Sequence, residues 1–505
     1  MSKIPLILPF ALYMIVLVAI GIYTFRFTKT MEGFHLGGRN LNPWVAGISL
    51  LFSGSSGWIF TGMAGLCYAV GPSSWFMHMS NLFFMLLAFI FIGKRMRNYS
   101  GILDAITYPE YFVRRVRARG NMIRFIASAA VVMFMSISCA TQYMAASKSM
   151  MPLFGISNVQ AVLITAVAVA FYCLIGGFTA VCWTDFVQGI VILVGSVAVC
   201  VYMIYDVGGW NAATTQLAAI DPKLVSADWA TFPLILAYWS TGFQCIGRPH
   251  DTIRYFAVKD SNATRKMAMI GMFGFLLNYW TGYLIGWVGR IYFPNIPDPE
   301  TIFGRILTSV LNPWFAGIML TALLALIMST VDSSLLSAAS TLTEDLYHCC
   351  INKKASKKKL LNISRISVVV IALVAVFFAL NAGGRSIMTV MLFASGGLAA
   401  TFGPALILSL YWKRLTEYGV VAAMLTGFIT SVAWRLAGFY KITNLHEGCA
   451  GFIFALIMGI VVSLITKPLP LGEIARELEI ISKAYKGEEM NRVVEEYQAT
   501  RVQEG

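Results

Sequence analysis

Apolar residues fill this chain in long blocks, and polar residues cluster in the short stretches between them. Thirteen blocks have the length of a membrane-crossing helix: roughly 5–25, 42–70, 74–93, 123–149, 157–176, 185–206, 232–247, 267–289, 307–346, 366–383, 386–411, 418–436 and 448–466. The longer ones must tilt or run on past the hydrocarbon. Two blocks are interrupted. The second contains Ser53-Gly54-Ser55-Ser56-Gly57, where an ordinary membrane helix would carry Leu or Val. Glycine weakens a helix, and serine turns its hydroxyl back on the backbone. The seventh contains Ser240-Thr241-Gly242 and ends in Gly247-Arg248-Pro249. A break at bilayer depth frees carbonyls and N–H groups, which is tolerated only where they face protein or line a cavity. Close packing through small residues is the alternative reading of either break taken alone.

Setting aside the first block and the last two leaves ten, which divide five and five. An odd number per half inverts the second half relative to the first, as inverted-repeat transporters require. The breaks then open each half, in corresponding positions. That pattern points to a binding site near the membrane midplane.

Composition narrows the class. The chain is 58% apolar and only 12% charged, the profile of a polytopic membrane protein. Its formal charge of +14 is unevenly placed. One set of alternate loops carries Arg26, Lys29 and Arg39, the run from Lys94 to Arg119, and Arg248, Arg254, Lys259, Arg265 and Lys266. It goes on with Lys353 to Lys359, then Lys413 and Arg414. The other set has little beyond Lys223, Arg290, Arg385 and Lys441. The rich set reads as cytoplasmic. The expectation is a multi-pass protein of the plasma (inner) membrane, N-terminus outside and C-terminus inside. The charge then meets lipid headgroups, with no nucleic-acid partner. The first block is too long for a signal-peptide core and has no cleavage site after it, so it should stay in the membrane. Residues 1–466 form the transmembrane domain, with core repeats at about 42–184 with 185–206 and at 232–411. Residues 467–505 form a cytoplasmic polar tail. A monomer is expected. The nine cysteines lie mostly within apolar blocks and form no C-x-x-C pair, so they read as core residues.

The ninth block carries the most chemistry. Ser329-Thr330-Val331-Asp332-Ser333-Ser334 puts a carboxylate and four hydroxyls inside a membrane span. An Asp there costs about 2.5–3.5 kcal/mol on insertion scales, which a partner or cavity must offset. Ser329, Thr330 and Ser333 share roughly one helix face. Such hydroxyls, with carbonyls freed by a break, can supply the five or six oxygens a hard cation wants. Each serine alone is explained by bonding back to its own helix. The cluster with Asp332 favours an ion site. Asp185, at the start of the sixth block, reads as a helix cap or a site residue. His78 reads as a satisfied core histidine and Arg435 as a snorkelling one.

Several segments resemble the sodium:solute symporters, and within them the bacterial sodium/proline and sodium/pantothenate type. They are Leu36-Gly37-Gly38-Arg39-Asn40-Leu41, Gly176-Gly177-Phe178 through Gln188, Gly247-Arg248-Pro249-His250, Asn312-Pro313-Trp314 through Ser329-Thr330, and Leu342 through Tyr347. The resemblance implies an all-α membrane protein of about 13 transmembrane helices, with a LeuT-type 5+5 inverted repeat and two broken helices. It implies a co-transported Na+ held by carbonyls of Phe52 and Ser55 and by Leu326, Ser329 and Thr330. Some members add a second Na+ at the positions of Asp185, Asp332 and Ser333. The solute would lie near Ser56, Gly57, Trp58, Gln142, Trp239, Thr241 and Gln244. Proline-type members carry Asp where this chain has Gly54, an aromatic at Ser138 and a Trp at Thr241. These departures bear on sodium coupling and on pocket size.

The expected function is therefore sodium-coupled secondary active symport of a small organic solute by alternating access. The solute would be an amino acid such as proline, or a small carboxylate or vitamin. Proton coupling through Asp185 or Asp332 is the nearest rival. A channel or non-transporting sensor is the rival from another class. No nucleophile–base pair, metal-spaced pair or phosphate-binding loop suggests an enzyme.

Overall fold

The computed structural model describes residues 4–25, 39–173, 178–227, 230–485, 489 and 492–497. Arg26, Lys29, Leu36 to Gly38 and Gly176–Gly177 lie outside the described residues. Thirteen membrane segments follow one another as α1 (Ile4–Phe25), the broken α2 (α2a Pro43–Ser55, α2b Gly62–Val70), α3 (Trp75–Leu87), α4 (Met122–Phe154), α5 (Asn158–Cys173), α6 (Phe178–Asp206), the broken α7 (α7a Phe232–Ser240, α7b Pro249–Ala257), α8 (Ser261–Tyr292), α9 (Pro313–Ser340), α10 (Lys357–Leu380), α11 (Ile387–Tyr411), α12 (Glu417–Leu436) and α13 (Glu447–Ile465). Among the described residues, nine helical stretches are long and apolar enough to cross a membrane unaided. One of the nine runs from α2b through α3; α2a, the broken α7 and the shorter α1 and α5 account for the other segments.

Several boundaries differ from the expected blocks; the tenth, for instance, starts at Lys357 instead of 366, where Ser356 caps it by accepting from the Lys359 N–H at 3.3 Å. The seventh continues beyond 247, because Pro249 restarts a helix whose residues are His, Asp and Arg as well as apolar. The ninth begins at Pro313 instead of 307. Asn312 caps it by accepting from the Trp314 N–H at 3.0 Å, and Ile302–Ser309 forms a separate helix before it. α2a starts with the same device, Asn42 capping Trp44 behind Pro43. The sixth helix is already under way at Phe178, so Asp185 sits inside it and is no cap. α3 runs through a π-turn, Ala88–Gly93, into the polar helix Lys94–Ile102.

The core gathers around α9, which is buried along nearly its whole length from Ala316 to Ser340. It packs against α1, α2a, α4 and α6. α8 lies along both halves of α2, while α12 and α13 pair with each other on α11. The breaks of α2 and α7 are thereby both enclosed. The α2 break contacts α4 and α9, and the α7 break contacts α3 and α11.

Candidate ion and solute site

The α2 helix stops at Ser55 because Ser56 takes φ 51°, ψ 178°. That conformation is nearly reserved for glycine and costs of order 1–3 kcal/mol. Gln142 of α4 holds it in place. Its Nε2 donates to Ser56 Oγ at 3.1 Å and its Oε1 accepts from the Gly57 N–H at 3.1 Å. Gly57 must be glycine, since a Cβ there would lie 2.3 Å from Ile327 Cγ1 of α9. Ser56, Gly57 and Gln142 therefore meet at one point, and Trp58 is buried beside them in the chain.

The predicted ion ligands converge from the other side. Thr330 Oγ1 lies 3.2 Å from the Phe52 carbonyl and 3.3 Å from that of Leu326. Ser329 Oγ donates to the Leu326 carbonyl at 3.1 Å. Ser55 Oγ is buried with no hydrogen-bond partner among the described residues. The Thr330 hydroxyl thus links the α2 break to α9. No group of three His, Cys, Asp or Glu suited to a metal ion occurs among the described residues. Carbonyl and hydroxyl oxygens are the ligand type that hard cations take.

One turn further along α9, Ser333 Oγ lies 3.2 Å from Ser53 Oγ. Asp185 reaches the same place from α6 and accepts from Ser49 Oγ at 2.5 Å. One further side chain joins them. Arg254 of α7b, counted above among the basic loop residues, is fully buried here. Its Nε donates to Ser49 Oγ at 3.0 Å, and its Nη2 lies 3.4 Å from Asp185 Oδ2 and 3.2 Å from Ser333 Oγ. Nη2 also donates to Ser53 Oγ. Arg248 is buried too, paired with Asp251 at 2.6 Å. Both arginines are thus corrections to the loop assignment. Nothing in one sequence distinguishes a buried arginine from an interfacial one when a polar half-helix follows a break. Beyond Arg254 lies a cavity of about 50 Å³ lined by His250, Ser333, Ser337 and Ser340.

The α7 side of the expected solute site stands apart. Gln244 Nε2 donates to Asn81 of α3 at 3.1 Å, Thr241 Oγ1 bonds the Tyr238 carbonyl, and the half-exposed Trp239 packs on Phe83. Among the described residues no hydrogen bond joins these three to Ser56, Gly57 or Gln142. Asp332 is fully buried on α9 next to Ser333. His78 bonds the Ser74 carbonyl at 2.8 Å, and Arg435 pairs with Glu447 at 3.3 Å, so neither belongs to the site.

Comparison with known proteins bears on this geometry. Residues 34–427 match the model of the sodium:solute symporter family. The osmoregulated proline transporter OpuE of Bacillus subtilis is 33% identical over 471 residues, 92% of this chain and 96% of that protein. The sodium/proline symporter of Escherichia coli is 31% identical over 476 residues, covering 92% and 93%. Among solved structures, a Na+-coupled sialic acid symporter superposes with a TM-score of 0.77 at 19% identity, over 92% of this chain and 98% of that one. MHP1, a nucleobase-cation-symport-1 family transporter, gives 0.54 at 14% identity over 88% and 98%. Their shared fold is the LeuT type that the family resemblance implies.

Proposed function

We propose, from the premise that this chain belongs to the sodium:solute symporter family, that it accumulates a small organic solute by alternating access driven by sodium. The observation that carries the ion site is the bond from Thr330 Oγ1 to the Phe52 carbonyl, which ties the α2 break to α9. A sodium ion placed among Phe52, Ser55, Leu326, Ser329 and Thr330 takes over that tie. It draws the two helices together and fixes the break against which the solute seats. Reciprocity then requires the solute to tighten sodium. Proline is the first candidate solute, on the names of the relatives. Small carboxylates and vitamins come next, because Ser138 and Thr241 leave a differently shaped pocket. The chain works as a monomer in the plasma membrane, with the N-terminus outside and the tail inside.

The test is uptake into proteoliposomes, with and without an inward sodium gradient, across a panel of labelled amino acids, carboxylates and vitamins. Sodium-driven accumulation of one solute is the expected result. The double variant Ser329→Ala/Thr330→Ala should abolish the sodium dependence. Sodium dependence unchanged in that variant would remove the site assignment. Uptake that ignores sodium and follows a pH gradient would establish the proton-coupled reading instead.

A further inference from the structure

The Arg254 guanidinium stands where the family resemblance puts the second sodium. Two of the residues named for that ion, Asp185 and Ser333, are direct neighbours of Arg254 Nη2, at 3.4 and 3.2 Å. Ser53 and Ser49, the hydroxyls that could complete an oxygen shell there, are bonded to the same side chain. Arginine keeps its charge at any physiological pH and offers five N–H donors in a planar fork. It therefore does for this cluster what a bound cation would do. It neutralises the carboxylate and draws hydroxyls from α2a and α9 and a carboxylate from α6 around one positive centre. A sodium ion bound to Asp185 and Ser333 would lie within ion-pair range of the guanidinium, buried where two like charges repel more strongly than in water. The side chain is fixed from its own helix as well, since Arg254 Nη1 donates to the His250 carbonyl one turn back.

We propose that Arg254 is a built-in cation occupying the second sodium position, so that this chain binds and carries one sodium per transport cycle. The proposal rests on the sodium-coupled reading above. Its consequence is specific to this position: neutralising Arg254 leaves Asp185, Ser53 and Ser333 as an anionic oxygen cluster open to a free ion.

Equilibrium binding of radiolabelled sodium to the purified full-length protein tests this without knowledge of the solute. The parent protein is expected to bind one sodium with a Hill coefficient of about one. Arg254→Ala should bind a second, with the Hill coefficient rising towards two. Arg254→Lys, which restores a fixed charge, should return to one, and so should the double variant Arg254→Ala/Asp185→Asn, which removes both charges. Arg254→Gln, neutral but able to keep hydrogen bonds, serves where the alanine variant fails to fold, and it too should gain a site. Two sodium ions in the parent, or a single one in every folded neutral variant, would overturn the proposal. A parent that binds no sodium would instead overturn the sodium-coupled reading itself, so the two failures are distinct.

Discussion

The strain at Ser56 is the smallest feature on which the site depends. A serine at φ 51°, ψ 178° persists only because its surroundings hold it. The holder is the Gln142 amide, which satisfies Ser56 Oγ on one side and the Gly57 N–H on the other. Gln142→Leu leaves that buried N–H without a partner, a cost of about 1–3 kcal/mol. Where the cost falls on the bound geometry, the sodium concentration for half-maximal uptake should rise roughly 5- to 150-fold. Gln142→Glu keeps the acceptor for Gly57 and should fall between. An unchanged sodium half-saturation in the leucine variant would mean that the break holds its shape without Gln142. The tie was invisible in the sequence because it joins residues 85 apart, and resemblance marked Gln142 only as a solute neighbour. At Gly54, where the resemblance sets an Asp in proline-type members, a Cβ would meet Phe275 Cζ at 2.9 Å and Arg248 Nη2 at 3.2 Å. Arg248 takes its counter-charge from Asp251 instead.

At the scale of elements, the breaks in α2 and α7 were legible because glycine and serine are so out of place in apolar blocks. The caps were legible in principle as well, since Asn42-Pro43-Trp44 and Asn312-Pro313-Trp314 are the same three residues. What escaped was how separate elements are locked at the end opposite the basic loops. There Glu300, buried in the segment before α9, accepts from the Ile387 N–H at 3.0 Å and the Met388 N–H at 3.3 Å, at the start of α11. A carboxylate at a helix N-terminus satisfies free donors and complements the helix dipole. Lys148 of α4 pairs with Glu300 at 2.5 Å and with Asp298 at 2.7 Å. One carboxylate thus fastens α4 to α11. Glu300→Gln keeps the shape and removes the charge. It should lower stability by about 1–3 kcal/mol, read as a lower thermal unfolding midpoint in detergent. A double-mutant cycle with Lys148→Met should return a coupling of about 0.5–3 kcal/mol. No coupling would mean that the pair is a solvated contact and no fastening. A single sequence offers no signal for this lock, because a Lys, an Asp and a Glu near apolar blocks read as ordinary boundary residues.

The whole molecule has to convert sodium entry into solute accumulation. One positive charge moving down about 100 mV contributes roughly 2.3 kcal/mol, and a tenfold sodium gradient about 1.4 kcal/mol more. Together they suffice for accumulation of a neutral solute by several hundredfold, and a second sodium would square that limit. The polar tail packs on the helix Lys94–Ile102 at the polar end of α3. Its helix, Leu471–Ser482, is seated with Ile474, Glu477 and Ile481 buried. Glu477 accepts from Tyr99 Oη at 2.5 Å and pairs with Arg117, in the connection leading to α4, at 3.5 Å. Beyond it, Lys94 and Asn98 bond the carbonyls of Ser482, Ile481 and Lys483, and Tyr485 exchanges two hydrogen bonds with Ser261 at the start of α8. The tail therefore ties the polar end of α3 to α8 and to the approach to α4. Removal of residues 468–505 strips the partners from Tyr99, Asn98 and Ser261, which are all buried. Each lost partner costs about 1–3 kcal/mol where water cannot replace it. The truncated protein should unfold at a clearly lower temperature, and Glu477→Ala should reproduce part of the loss. Its solute preference should be unchanged, because among the described residues no hydrogen bond joins the tail to the α2 break. A truncated protein with the parent's unfolding midpoint would mean that the tail lies on the surface without holding it together. A changed solute preference would mean that the tail acts on the site through α3.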